Sequence, residues 1–271
     1  MKSFKCIEMF SSSKTGRKDD NEDLIYIDEN FLAVFDGATS KSKGLWEGKT
    51  SGRLTVEIIA ETIKSRFYKD IDCETAISMI QSSLCNFSKE NSLKEKEIFL
   101  CASGVIYSVE KHQVWSVGDC QFSINGLVTS PTKEIDRLLS EVRSLAIRCL
   151  LLEGNTEEEL LENDEARDWI MNILKRQYHL ENEEGVYGFS VFSGKGTVKE
   201  FSVIDVPNGA EVIIASDGYP LLLPTLKESE EKLKEIVEND PLCYKQYLST
   251  KGLVKGNQSF DDRSYLRFRV R

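Results

Sequence analysis

Two blocks of apolar residues in this chain end in the same way. Leu32-Ala33-Val34-Phe35 runs into Asp36-Gly37, and Val212-Ile213-Ile214-Ala215 runs into Ser216-Asp217-Gly218. Each pattern predicts a buried strand with a carboxylate at its tip. Leu24 to Ile27 and Phe31 to Phe35 flank Asp28-Glu29-Asn30 and predict an antiparallel hairpin, which would set Glu22 and Asp23 beside Asp36. Helical spacing then predicts two amphipathic helices, one through Leu54, Ile58, Ile59, Ile63 and Phe67 and one through Cys73, Ala76, Ile77, Ile80, Leu84 and Phe87. Strands follow at 100–108, 113–117 and 121–124, with Asn125-Gly126 as a hairpin turn. A largely helical middle opens at Pro131, with a capping box at Thr156 and Glu159. The pattern returns to strands at 186–192, 198–203, 211–216 and 265–270, interrupted by a helix near 228–237. Residues 11–23 read as a polar loop, and 39–53 as a Ser/Lys/Gly-rich loop placed to touch substrate.

With 271 residues, 40% of them hydrophobic, the chain can bury one large core, and no repeat or low-complexity linker divides it. One domain over 1–271 and a monomer are expected. A formal charge of −10 argues against a partner held by nucleic-acid phosphates. The seven cysteines are scattered without metal-type spacing, so they read as reduced core thiols, as Trp115 reads as a core residue. The N-terminus lacks a signal-peptide core and no apolar run is long enough to cross a bilayer, so a cytoplasmic protein without a membrane partner is expected. The two histidines, His112 and His179, read as surface residues outside any nucleophile–base motif.

Acids recur at strand ends: Glu22-Asp23, Asp36-Gly37, Asp119, Asp217-Gly218 and Asp261-Asp262. Clustered carboxylates repel one another unless a cation joins them, and hard divalent ions prefer oxygen ligands.

Five motifs in order now resemble the PP2C-type (PPM) metal-dependent serine/threonine protein phosphatases. They are Asn21-Glu22-Asp23, Val34-Phe35-Asp36-Gly37, Val117-Gly118-Asp119, Ala215-Ser216-Asp217-Gly218 and Asp261-Asp262-Arg263-Ser264. The resemblance spans nearly the whole chain and implies an α+β fold, an αββα sandwich of two antiparallel sheets flanked by helix pairs. It implies two Mg²⁺ or Mn²⁺ ions bridged by Asp36, with Glu22 and the Gly37 carbonyl on one ion and Asp217 and Asp261 on the other. Asp23 would act through waters, and Asp119 would help to hold a third, weaker ion. The implied reaction is hydrolysis of phosphoserine or phosphothreonine in proteins by a water bridging the two cations, with Asp36, Asp217 and Asp261 as the catalytic set. A catalytically weak phosphoprotein-binding module and a hydrolase of small phosphate esters are alternatives.

The chain departs from the family pattern at three places. Ala38 follows Asp36-Gly37 where eukaryotic members carry a histidine. Lys18 stands where a phosphate-binding arginine is usual, with Arg17 beside it, so Arg17 and Lys18 are the candidates for substrate phosphate. Cys120-Gln121 replaces Ser-Arg, which predicts altered support around Asp119. A slip of one residue would make Asp262 the ligand in place of Asp261.

Overall fold

The computed structural model describes residues 3–38 and 44–271. Strand β3 (Phe31–Gly37) shows how the core is divided. Phe31, Ala33 and Phe35 join a cluster with Leu54, Ile59, Ile63, Ile77, Ile80 and Leu84, whereas Leu32 and Val34 join another with Phe122, Val212, Ile214, Leu266 and Phe268. Alternate residues of a strand point to opposite faces, so β3 faces helices on one side and a second sheet on the other. A strand packed on both faces needs an unbroken apolar run, and that is its sequence.

One antiparallel sheet has the order β1 (Phe4–Ser12), β11 (Arg263–Val270), β10 (Glu211–Ala215), β6 (Gln121–Ile124), β7 (Leu127–Thr129). The other has the order β2 (Leu24–Ile27), β3, β4 (Cys101–Ser108), β5 (Gln113–Val117), β9 (Ser202–Asp205), and the short β8 (Phe192–Ser193) pairs with the start of β4. The β2–β3 hairpin is closed by Asp28, whose Oδ1 accepts the backbone N–H groups of Asn30 and Phe31 at 2.7 Å. Asn125 and Gly126 turn β6 into β7 with φ of 50° and 84°, as a primed two-residue turn requires.

Helices α1 (Ser51–Arg66) and α2 (Cys73–Glu90) cover the β3 sheet. Helices α3 (Glu134–Leu152), α4 (Glu157–Glu162), the latter closed by the Thr156–Glu159 capping box, and α5 (Glu165–Leu174) form the middle block. Ile135, Leu139, Ile170 and Leu174 join α3 to α5. Helix α6 (Leu226–Asn239) places Leu226 against Ile213, Ala215 and Tyr265 on the outer face of the β10 sheet. No helix among the described residues is long and apolar enough to cross a membrane.

Two expected strands differ from the structure, and one strand was not expected. Strand β1 has no legible signal because it is an edge strand whose exposed positions, among them Ile7 and Met9, erase the alternation that marks a half-buried strand; it also takes in Ser11 and Ser12 of the expected 11–23 loop. The strand expected at 186–192 shrinks to β8, because Val186 and Tyr187 are exposed and the segment is held by Asn182, which accepts the Val191 N–H and donates to Ser193 Oγ. The strand expected at 198–203 begins only at Ser202. Trp115, Cys73, Cys120 and Cys243 are core residues, but Cys6 is exposed and Cys85, Cys101 and Cys149 are only partly buried; all seven cysteines are free thiols.

Candidate active site

The acidic strand ends meet at one end of the sandwich, around a cavity of about 780 Å³ lined by Glu22, Asp36, Gly37, Asp119, Asp217 and Asp261, with Lys14, Lys133 and Lys251 among its basic residues. Asp23 and Asp262 lie behind the wall. The β2–β3 register pairs Leu24 with Phe35, which brings the residue before β2 level with Asp36. Close backbone packing sets these loops. A Cβ on Gly37 would sit 2.5 Å from the Gly52 carbonyl oxygen and 2.7 Å from that of Glu22, and a Cβ on Gly218 would meet the Asp262 carbonyl oxygen at 1.9 Å. Gly37→Ala is therefore expected to destabilise the fold by about 1–3 kcal/mol through overpacking, read as a lowered melting temperature.

Asp262 is the strut of the site. Its Oδ1 accepts the Lys14 N–H at 2.8 Å and its Oδ2 the Glu22 N–H at 2.9 Å, so both oxygens hold loops and Asp261 is the neighbour that faces the cavity. Ser216 donates to Asp23 Oδ2 at 2.7 Å and accepts the Ser264 N–H at 2.8 Å. Gln121, in one of the three places where the sequence departs from the pattern it resembles, donates to the carbonyl oxygens of Ser216 and Tyr219 and so braces both sides of Asp217.

Lysines pair with three of the acids in the wall. Lys251 Nζ contacts Asp261 Oδ2, Lys133 Nζ lies 2.7 Å from Asp119 Oδ2, and Lys14 Nζ lies 3.5 Å from both Glu22 and Asp262. Burial pushes the Asp119 and Asp261 carboxyls up, but these ammonium groups outweigh it and hold both below the usual carboxylate range. Asp36 and Asp217 have no basic partner among the described residues. Burial, and then the charge of neighbouring acids, drives both well above the ordinary value. Burial also pushes Asp23 up to about 8.

Arg17 and Lys18 are not on the cavity wall. Both are exposed at the loop surface, and Arg17 is turned onto Asp20 at 2.6 Å. Lys14, four residues before Lys18, is the basic group of this loop that lines the cavity. Of loop 39–53, residues 39–43 lie outside the described residues, and none of 44–53 lines the cavity; Thr50 caps α1 and donates to Glu22 Oε1. His112 lies in the turn from β4 to β5, and His179 lies tilted against Tyr178; neither lines the cavity.

Sequence reasoning also missed two buried groups. Arg143, fully buried, donates to the carbonyl oxygens of Leu242 and Ser249 and pairs with Asp164 at 2.6 Å, which fixes the loop carrying Lys251. Glu181 is 6% exposed beside the Cys101 thiol, and burial pushes its carboxyl from 4.5 up to about 7. The folded state then keeps a proton that the unfolded chain releases, so stability falls as pH rises from about 4.5 to about 7. Glu181→Gln is expected to flatten that slope in urea melts taken across this pH range.

No group of three or more His, Cys, Asp or Glu side chains stands assembled as a metal cage among the described residues. The donor set still suits a hard cation. Mg²⁺ takes one or two carboxylates and keeps several waters, and Asp36 and Asp217 are two neighbouring acids that form no ion pair among the described residues. Buried Oδ1 atoms of Asp23 and Asp217 have no hydrogen-bond partner.

The sequence matches no protein-family model and no curated protein. Solved structures do match over almost the full length. The Mycobacterium tuberculosis serine/threonine phosphatase PstP/Ppp aligns with a TM-score of 0.52 at 13% identity, covering 97% of each chain. The PstP catalytic domain in complex with two manganese ions aligns at 0.51 and 14% identity, covering 97% of this chain and 96% of that one. A bacterial serine phosphatase gives 0.52 at 14% identity, again with 97% of each chain covered. This chain has the PP2C-type phosphatase fold. At the acidic end of this sandwich the chain sets Lys14, Lys133 and Lys251 among the carboxylates.

Proposed function

We propose that this chain is a Mg²⁺- or Mn²⁺-dependent phosphatase of phosphoserine and phosphothreonine in proteins. The observation that carries the reading is the unpaired Asp36–Asp217 couple on the wall of a cavity within a PP2C-type fold. Asp36, Asp217, Asp261, Glu22 and the Gly37 carbonyl would hold the two cations, with Asp36 contributing to both. When bound, the ions supply an acidified water as nucleophile and neutralise charge on the phosphoryl oxygens. The chain's own residues orient and hold. Asp262 fixes the Lys14 and Glu22 loops, Ser216 and Gln121 fix Asp217, and Lys14 offers a point charge to the incoming phosphate in place of Arg17 or Lys18. Ala38 has no ionisable side chain, so the leaving oxygen takes its proton from water. Lys14→Ala is expected to raise KM for a phosphopeptide about tenfold with a smaller change in kcat.

A second reading, a phosphoprotein-binding module without efficient chemistry, is favoured by one observation: Lys251 and Lys133 already neutralise Asp261 and Asp119. Phosphate release from a phosphothreonine peptide in Mn²⁺, Mg²⁺ and EDTA separates the two. The phosphatase reading expects turnover with either metal and none in EDTA. Folded protein that binds the peptide and releases no phosphate in any of the three supports the binding module.

A further inference from the structure

The Lys133–Asp119 pair is a built feature of the wall rather than a surface ion pair. Lys133 immediately precedes α3, yet its side chain is only 16% exposed, and its ammonium lies 2.7 Å from Asp119 Oδ2 and 5.3 Å from the centre of the Phe189 ring. The other Asp119 oxygen takes the Ser103 hydroxyl, and Ser103 is the β4 residue directly opposite Asp36. Both oxygens of Asp119 are thus committed to protein donors, one of them a full positive charge carried on a separate element.

A divalent ion placed at Asp119 would meet that ammonium at close range and would have to displace it from a partly buried pair. Asp36 and Asp217 present the opposite situation, two acids with no basic partner among the described residues. The demand for outside cations is therefore concentrated at the Asp36–Asp217 couple and is already met at Asp119. We infer that Lys133 is a tethered cation standing where the resemblance places a third metal ion, so that the centre takes two ions and not three. This inference rests on the two-cation reading above. It gives the residue before α3 a role in the centre, because the helical block then contributes a fixed charge that does not depend on the metal concentration.

The test is a count of bound Mn²⁺ by electron paramagnetic resonance, titrated into the millimolar range, on the full chain and three variants. Wild type and Lys133→Arg are expected to bind two ions, and Lys133→Met to gain a third, weaker one. Asp119→Asn, in a chain that keeps Lys133, is expected to retain two ions, and it decides the matter if Lys133→Met fails to fold by circular dichroism. A third ion in wild type that Asp119→Asn removes overturns the inference, as does a folded Lys133→Met that stays at two. A wild type that binds no Mn²⁺ overturns the two-cation reading and this inference together, whereas two ions in both wild type and Lys133→Met overturns only the inference.

Discussion

Asp36→Asn is expected to move two measurements in opposite directions. Phosphate release in Mn²⁺ should fall by at least about a thousandfold, on the order of 4 kcal/mol in the barrier, because the one carboxylate assigned to both cations is lost. The same substitution should raise the melting temperature of the metal-free protein at pH 8 by several degrees. Burial and neighbouring acids hold Asp36 and Asp217 well above the ordinary carboxylate range, so the folded state retains protons that the unfolded chain releases. That difference lowers stability progressively as pH rises past the usual carboxylate values, and an uncharged Asn removes part of it. A substitution that improves the fold while ending the chemistry marks a residue kept for function. If Asp36→Asn lowered both quantities, Asp36 would be a structural acid and the assignment would fail.

Lys251→Met carries the second large effect. The Lys251 ammonium is partly buried against Asp261, and its value is raised because the charges of Asp261, Asp217 and Asp36 outweigh the cost of burial. Removing it leaves a partly buried carboxylate held only by the Asp262 backbone N–H, which costs about 1–3 kcal/mol in the metal-free protein. Any divalent ion that uses Asp261 must first displace this ammonium, so the variant should bind Mn²⁺ at least about tenfold more tightly, a gain of about 1.4 kcal/mol. Thermal melts with and without Mn²⁺ would show a lower starting point and a larger metal-induced rise than in wild type. An unchanged Mn²⁺ affinity would mean that Asp261 is never released to a cation. The binding-module reading would gain from that result.

Much of the fold was legible in the sequence because the governing signals are local. The run Phe31 to Phe35 has no polar break, so it had to be packed on both faces, and the Asp28 and Asn125-Gly126 turns announce their hairpins. The edge strand β1 was hidden because exposed apolar residues such as Met9 carry no periodicity. At the site, the strand-end acids were readable as a set, since each follows an apolar block. Their separation into cavity-facing and bracing groups was not. Asp261 and Asp262 differ only in which loops they meet, and those loops come from residues 14 and 22, more than two hundred positions away. The lysines were illegible for the same reason. Lys133, Lys251 and Lys14 look like ordinary solvated residues until tertiary packing sets each beside its acid, and Arg143, which anchors the Lys251 loop, reads in sequence as one more polar residue of an amphipathic helix.

The central claim is that the Asp36–Asp217 couple is a seat for divalent cations. Anomalous diffraction from a crystal of the protein soaked in Mn²⁺ tests it most directly. Two peaks are predicted, both in contact with the Asp36 carboxylate, one of them shared with Asp217 and with Asp261 freed from Lys251. A soaked crystal with no peak at Asp36, and with Lys251 still seated on Asp261, would contradict it.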